Sequence, residues 1–159
     1  MIGTGIRNIR AKEATLLGAP LTDEAMEEVL TSKTIQLGTL AQRLGDLSAH
    51  SAYFLLKLSV SLPRLIYFLR CGPSWRKHDF LLKYDETLRS ALENIMNILM
   101  STNSCHQSSL PVKMGGLGLR HAVEMAKPCF LASFYSSLPL IHSLLPDEYI
   151  FLDQTSGEA

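Results

Sequence analysis

Neither sign of charge dominates this chain. Fifteen Lys and Arg face fifteen Asp and Glu, which excludes a strongly basic nucleic-acid coat or a strongly acidic shell as a global property. An anionic partner must therefore be met by a local patch. Cysteine is scarce: Cys71, Cys105 and Cys129 are odd in number and far apart, a pattern that predicts reduced thiols and no disulfide framework. The N-terminus lacks the basic start, apolar run and small-residue cleavage site of a secretory signal, so an intracellular location, cytoplasmic or nuclear, is expected. Internal repeats and low-complexity tracts are also lacking.

The usual chemical motifs are missing as well. Cys71, His78, Cys105, His121 and Cys129 do not have the paired two-to-four-residue spacing of structural zinc ligands. There is no Gly-x-Ser-x-Gly turn to expose a nucleophile. Gly115-Gly116-Leu117-Gly118 could offer amides to a phosphate, but it lacks the Lys-Ser/Thr ending of a P-loop and the longer spacing of a dinucleotide fingerprint. No catalytic residue, metal ligand or cofactor is predicted. His142, between Ile141 and Leu144, is expected to be a partly buried helix residue.

What the chain has is leucine at helical spacing. Thr22 stands before Asp23 and Glu24, placing a capping hydroxyl and an acidic first turn at a helix start. Met26, Leu30, Leu37, Leu40, Leu44 and Leu47 then recur at threes and fours, interrupted by Lys33, as one core-facing stripe. A helix from about Ala49 to Leu69 is apolar nearly all round. Lys57, Pro63 and Arg64 interrupt it, and each Lys or Arg costs about 2.5–3.5 kcal/mol at a bilayer centre, so the central helix of a bundle, bent at Pro63, is predicted and no membrane partner. Phe80 or Leu81, Tyr84, Leu88, Leu92, Ile95 and Leu99 define another amphipathic helix, with Asp85 and Glu86 off the stripe. Ser101 to Ser109 is polar and predicted as a loop. Leu110 to Leu119 is a glycine-rich ribbon that cannot form a stable helix. Arg120 to Ser136 is helical again, with a bend expected at Pro128 and short helices beyond it.

The predicted fold is mainly α: a bundle of about four to five helices with a short extended N-terminal segment and the glycine ribbon Gly115, Gly116 and Gly118. The expected units are an extended segment over 1–21, a helical domain over 22–152 and a flexible tail over 153–159. Residues Lys57 to Arg89 are basic, between an acidic block at Asp23 to Glu28 and an acidic end, so an anionic partner should touch the middle.

Two strings carry a resemblance. Leu16-Leu17-Gly18-Ala19-Pro20-Leu21 near the start and Ser109-Leu110-Pro111-Val112-Lys113-Met114-Gly115-Gly116-Leu117-Gly118-Leu119-Arg120 late in the chain flank an apolar helical stretch. From about Ala14 to Ser137 this resembles the C-terminal part of reverse transcriptases encoded by non-LTR-like retrotransposons. The resemblance implies that the first string is a primer-grip segment left from a palm sheet and that the helices form a thumb. It implies primer–template contacts at Gly18, Pro20, Lys113 and Arg120, to which the basic loop beside Trp75 adds Arg76 and Lys77. Polymerisation needs two metal ions held by clustered carboxylates. The chain has no adjacent Asp pair, and Asp23-Glu24, Asp85-Glu86 and Asp147-Glu148 are each expected to be a solvated or capping pair. The resemblance thus implies a polymerase fragment that is not itself an enzyme and that keeps weak, sequence-independent binding to nucleic acid. A second reading, from a different class, is a nonenzymatic helical interaction module or a relic reading frame without function. Either way, apolar faces left without a palm predict self-association.

Overall fold

In the computed structural model, which describes residues 10–145, Thr22 starts the first long helix. Its hydroxyl accepts the Ala25 amide at 3.2 Å and donates to the Ala11 carbonyl at 2.6 Å, tying the cap of α1 (Asp23–Leu44) to the preceding turn. Residues 1–9 and the tail predicted at 153–159 lie outside the described residues. The extended segment forms a two-residue-per-strand hairpin, β1 (Thr15–Leu16) antiparallel to β2 (Ala19–Pro20). Leu17 and Gly18 turn it with φ of 51° and 82°, the doubly left-handed conformation that matches strand twist.

The α1 stripe is buried at Met26, Leu30, Leu37 and Leu44 and half-buried at Leu40, whereas Leu47 lies beyond the helix and is exposed. Lys33, which interrupts the stripe, places its ammonium over the Phe68 ring, 5.0 Å from the centroid, so its charge sits on an aromatic face at the core's edge.

The apolar stretch 49–71 is two helices. α2 (Ala49–Leu55) widens into a π turn over Leu56–Val60 and breaks at Ser61 before α3 (Leu62–Cys71). The expected bend at Pro63 is therefore displaced: the chain breaks two residues earlier, and Pro63 sits in the first turn of α3, where its missing N–H costs no helical bond. The Ser61 amide reaches Leu56 O at 2.9 Å across the wide turn, and the Ser61 carbonyl accepts both the Arg64 amide at 3.2 Å and the buried Tyr84 hydroxyl at 2.9 Å. This stretch has the length and apolar character to cross a membrane, but Ala52, Leu56, Val60, Leu62, Leu65 and Leu69 face the core.

A short 3-10 turn at Ser74–Arg76 leads to α4 (His78–Met96), which ends at Asn97 in the left-handed region. Two expectations for the last third of the chain fail. Ser101–Ser109 is α5 (Thr102–Ser109), capped by Ser101 accepting the Ser104 amide at 3.2 Å; local capping and packing override its polar composition. α6 runs unbroken from Ala122 to Leu144 with Pro128 and Pro139 inside it, held in register as it packs along α3. His142 is exposed in its last turn. Because α2, the π turn and α3 form one interrupted rod, the six α-helices read as five rods, and the mainly α bundle is as the periodicity predicts. Its core joins Leu30, Leu37, Leu56, Leu65, Leu69, Leu81 and Tyr84 from four helices, each large side chain contributing about 1.5–3 kcal/mol.

Candidate nucleic-acid interface

The six residues singled out for nucleic-acid contact are spread over three parts of the surface. Gly18 is exposed at the hairpin tip, but Pro20 is buried beneath it against α1 and α3 and offers no surface to a ligand. Arg76 is exposed on the 3-10 turn, while its neighbour Lys77 is turned inward. The Lys77 ammonium lies 2.8 Å from Glu27 and 3.6 Å from Asp23 of α1, and the Glu27 bond raises its pKa. The acidic block of α1 thus occupies one of the cations expected to meet phosphate. Lys113 and Arg120 are exposed at either end of the glycine ribbon.

The ribbon folds back on the end of α5. Leu117 and Leu119 both donate to Ser108 O at 3.1 Å, and Gly118 donates to Leu110 O at 2.8 Å. Gly116 is buried in this fold: a Cβ there would overlap the Leu110 carbonyl and stand 2.6 Å from Gln107 O. Gly115 and Gly118 adopt φ of 79° and 72°, which a side chain disfavours. The Leu117 carbonyl accepts the Tyr53 hydroxyl at 2.6 Å, fastening the ribbon to α2. These bonds commit the ribbon's amides to the protein, so its glycines hold Lys113 and Arg120 at the surface and do not cradle a phosphate.

Arg64, Arg70 and Lys83 are also exposed, and among the described residues Arg64, Arg70, Arg76, Lys83, Lys113 and Arg120 make no ion pair. Burial raises the Cys129 thiol pKa, and the charges of Arg70 and Arg120 oppose the rise. Arg89, by contrast, is committed inward: its guanidinium donates to Glu93 at 3.1 Å and to the Met100 carbonyl.

A polar centre that the sequence reading placed on the surface is buried. Asp85 is 9% exposed on α4, and its carboxylate accepts the amides of Ala122 at 2.7 Å and Val123 at 3.1 Å. It caps α6 from another helix, so of the Asp85-Glu86 pair Asp85 is a buried capping acid and only Glu86 is exposed. Burial raises the Asp85 pKa, and the two amide bonds and His121 oppose the rise. His121 Nδ1 lies 3.9 Å from Asp85, and its Nε2 lies 3.9 Å from the Cys105 sulfur. Burial also raises the Cys105 pKa, which disfavours the thiolate a nucleophile needs. The centre can orient a helix start but is not arranged for nucleophilic chemistry. One signal could have revealed it: Asp85 falls on the seam Leu81, Leu88 and Leu92 at helical spacing. Among the described residues, no three His, Cys, Asp or Glu side chains cluster to hold a metal ion.

No protein-family model matches the chain, and no solved structure matches it significantly. Over 126 residues, 79% of its length, the chain is similar to the retrotransposable element SLACS 132 kDa protein of Trypanosoma brucei gambiense, at 25% identity. It spans 11% of that protein's length. The chain is thus related in sequence to a retrotransposon protein.

Proposed function

We propose that this chain is the primer-grip and thumb portion of a reverse-transcriptase-like retrotransposon protein, and that it binds primer–template nucleic acid through backbone contacts without copying it. The observation that carries this reading is the similarity to a retrotransposon protein over 79% of the chain. The two motif strings, in the order expected of such polymerases, agree with it. On this reading residues 1–21 are the palm-side remnant and 22–152 the thumb. Arg64, Arg70, Arg76, Lys83, Lys113 and Arg120 supply cations that no acid among the described residues pairs with, and such cations position a duplex without reading its sequence. Catalysis is no part of the proposal, because clustered carboxylates for two metal ions would have to come from elsewhere.

Titrating the full chain with a fluorescent RNA–DNA primer–template hybrid tests the reading. Binding should appear at low salt and weaken along a straight line of log affinity against log salt, with a slope near −0.9 for each phosphate neutralised. Scrambling the hybrid's sequence should leave affinity unchanged. Absence of binding at low salt, or affinity indifferent to salt, overturns it.

A further inference from the structure

One face of α2 is aromatic and turned to solvent. His50, Tyr53, Phe54 and Lys57 recur at the three- and four-residue spacing of a single helical face, opposite the buried Ala52 and Leu56. The Phe54 ring meets His50 edge-on with centroids 4.8 Å apart, and Tyr53 in the same manner at 5.3 Å. His50 is exposed and Phe54 keeps 43% of its surface in water, so the fold does not cover this ring.

Beside the aromatics stands a cation for which the glycine ribbon makes room. Lys57 Nζ lies 5.7 Å from the Tyr53 ring centroid and 3.3 Å from the Tyr53 hydroxyl, the hydroxyl that fastens the ribbon through Leu117 O. At Gly118 a Cβ would stand 3.0 Å from the same ammonium. Arg120 is exposed and follows two residues later, within about 7 Å of extended chain. Among the described residues neither Lys57 nor Arg120 makes an ion pair. The two segments that meet here are free of acids: neither Leu47 to His78 nor Asn94 to Val123 contains an Asp or Glu.

We propose that this face binds an unpaired nucleic-acid strand, with one base stacked on Phe54 and the adjoining phosphates on Lys57 and Arg120. Cations with no acid beside them call for an anion, and an uncovered ring next to them calls for a planar partner. A nucleotide supplies both at once, and stacking on an aromatic side chain accepts any base because every base has a π-face.

The ring also selects a single strand over a duplex. Paired bases are stacked on one another and present only their edges and backbone, whereas unpaired bases can splay out onto an aromatic side chain. An acidic peptide brings the charge without the plane. An anionic membrane brings charge and apolar depth, which any apolar side chain at position 54 would serve equally. Phe54 and Lys57 take no part in the duplex contacts proposed above, so the two proposals can fail independently.

Fluorescence anisotropy of the full chain with a labelled oligothymidylate, which cannot pair with itself, is the test. Binding is expected at low salt, with a log–log salt slope of about −0.7 for each phosphate contacted. Phe54→Ala and Phe54→Leu should each weaken it by about 5- to 150-fold, the loss of one aromatic stack, while Phe54→Trp should match or exceed the parent. Lys57→Gln and Arg120→Gln should each flatten the slope by about 0.7. Helical circular dichroism should be retained throughout, and an RNA–DNA hybrid should bind the three Phe54 variants as it binds the parent. Absence of oligothymidylate binding at low salt overturns the proposal, as does an affinity indifferent to Phe54→Ala. Full affinity in Phe54→Leu with loss in Phe54→Ala overturns it in favour of plain apolar contact. Sedimentation with phosphatidylserine vesicles, unmatched by any binding of oligothymidylate, overturns it in favour of lipid. Oligothymidylate bound through Phe54 by a chain that ignores the hybrid would strike the duplex reading and uphold this one.

Discussion

The Asp85 carboxylate and the Ala122 amide, 37 residues apart in the chain, meet at 2.7 Å in the interior. A helix start is thereby built from two helices: α4 supplies the acceptor, and α6 supplies two amides that its own cap residue, His121, leaves unbonded. The bond also fixes where the glycine ribbon must deliver the chain.

Asp85→Ala should therefore lower stability by about 2–4 kcal/mol, since it strands two amides and each unpaired buried donor costs about 1–3 kcal/mol. Asp85→Asn keeps one acceptor oxygen and should lose roughly half as much. Urea unfolding followed by circular dichroism measures both. Equal, negligible losses would mean that α6 starts without this cap.

Two carboxyls should tilt stability against pH in opposite senses. Burial raises Asp85 in the folded chain, so its contribution is full below the unfolded pKa and is lost as pH rises through the folded one. Glu93 is lowered, first by the Met100 amide and then, against desolvation, by Arg89. Its contribution is present above the unfolded pKa and is lost as pH falls through the folded one. The urea midpoint of the parent relative to Asp85→Asn should drop as pH rises from the ordinary carboxylate range. Relative to Glu93→Gln it should drop as pH falls below that range. Parallel curves for parent and variant would contradict the assigned direction.

Neighbouring glycines of the ribbon should respond unequally. Gly116→Ala forces a methyl into the Leu110 carbonyl, and overpacking of this kind costs about 2–3 kcal/mol. Gly115→Ala meets no atom within 4 Å and bears only its left-handed backbone, about 1 kcal/mol. Thermal unfolding of the two variants gives the ranking; a larger loss at Gly115 would contradict the placement of the ribbon.

In the proposed binding reaction, Lys77 and Arg76 should behave differently despite being adjacent. Lys77 is held by Glu27, so Lys77→Ala should leave hybrid affinity and its salt slope unchanged. Arg76→Ala and Arg120→Ala should each weaken binding at low salt and reduce the slope by about one. Titrations across a salt series separate the cases. Loss of binding in Lys77→Ala alone would reverse the assignment.

Much of the bundle was legible from periodicity. Thr22, the α1 stripe and the α4 stripe each depend on contacts three or four residues apart, which spacing alone records. The misplaced features involve distant partners. Ser101–Ser109 is polar enough for a loop, yet Ser101 caps it and the ribbon folds against its end. Pro63 was expected to bend a helix because nothing local reveals that Tyr84 would accept a break at Ser61. Lys77 and Arg76 look alike until α1 brings Glu27 to one of them.

The sequence by itself determined a helical chain with balanced charge and a non-helical glycine ribbon, because propensity, composition and spacing act over a few residues. Only the tertiary structure decided which acid is buried, which cations stay free and which apolar residues remain uncovered. Those outcomes depend on which segments meet across the core, and burial and pairing change the energy of a charge far more than its sequence neighbours do.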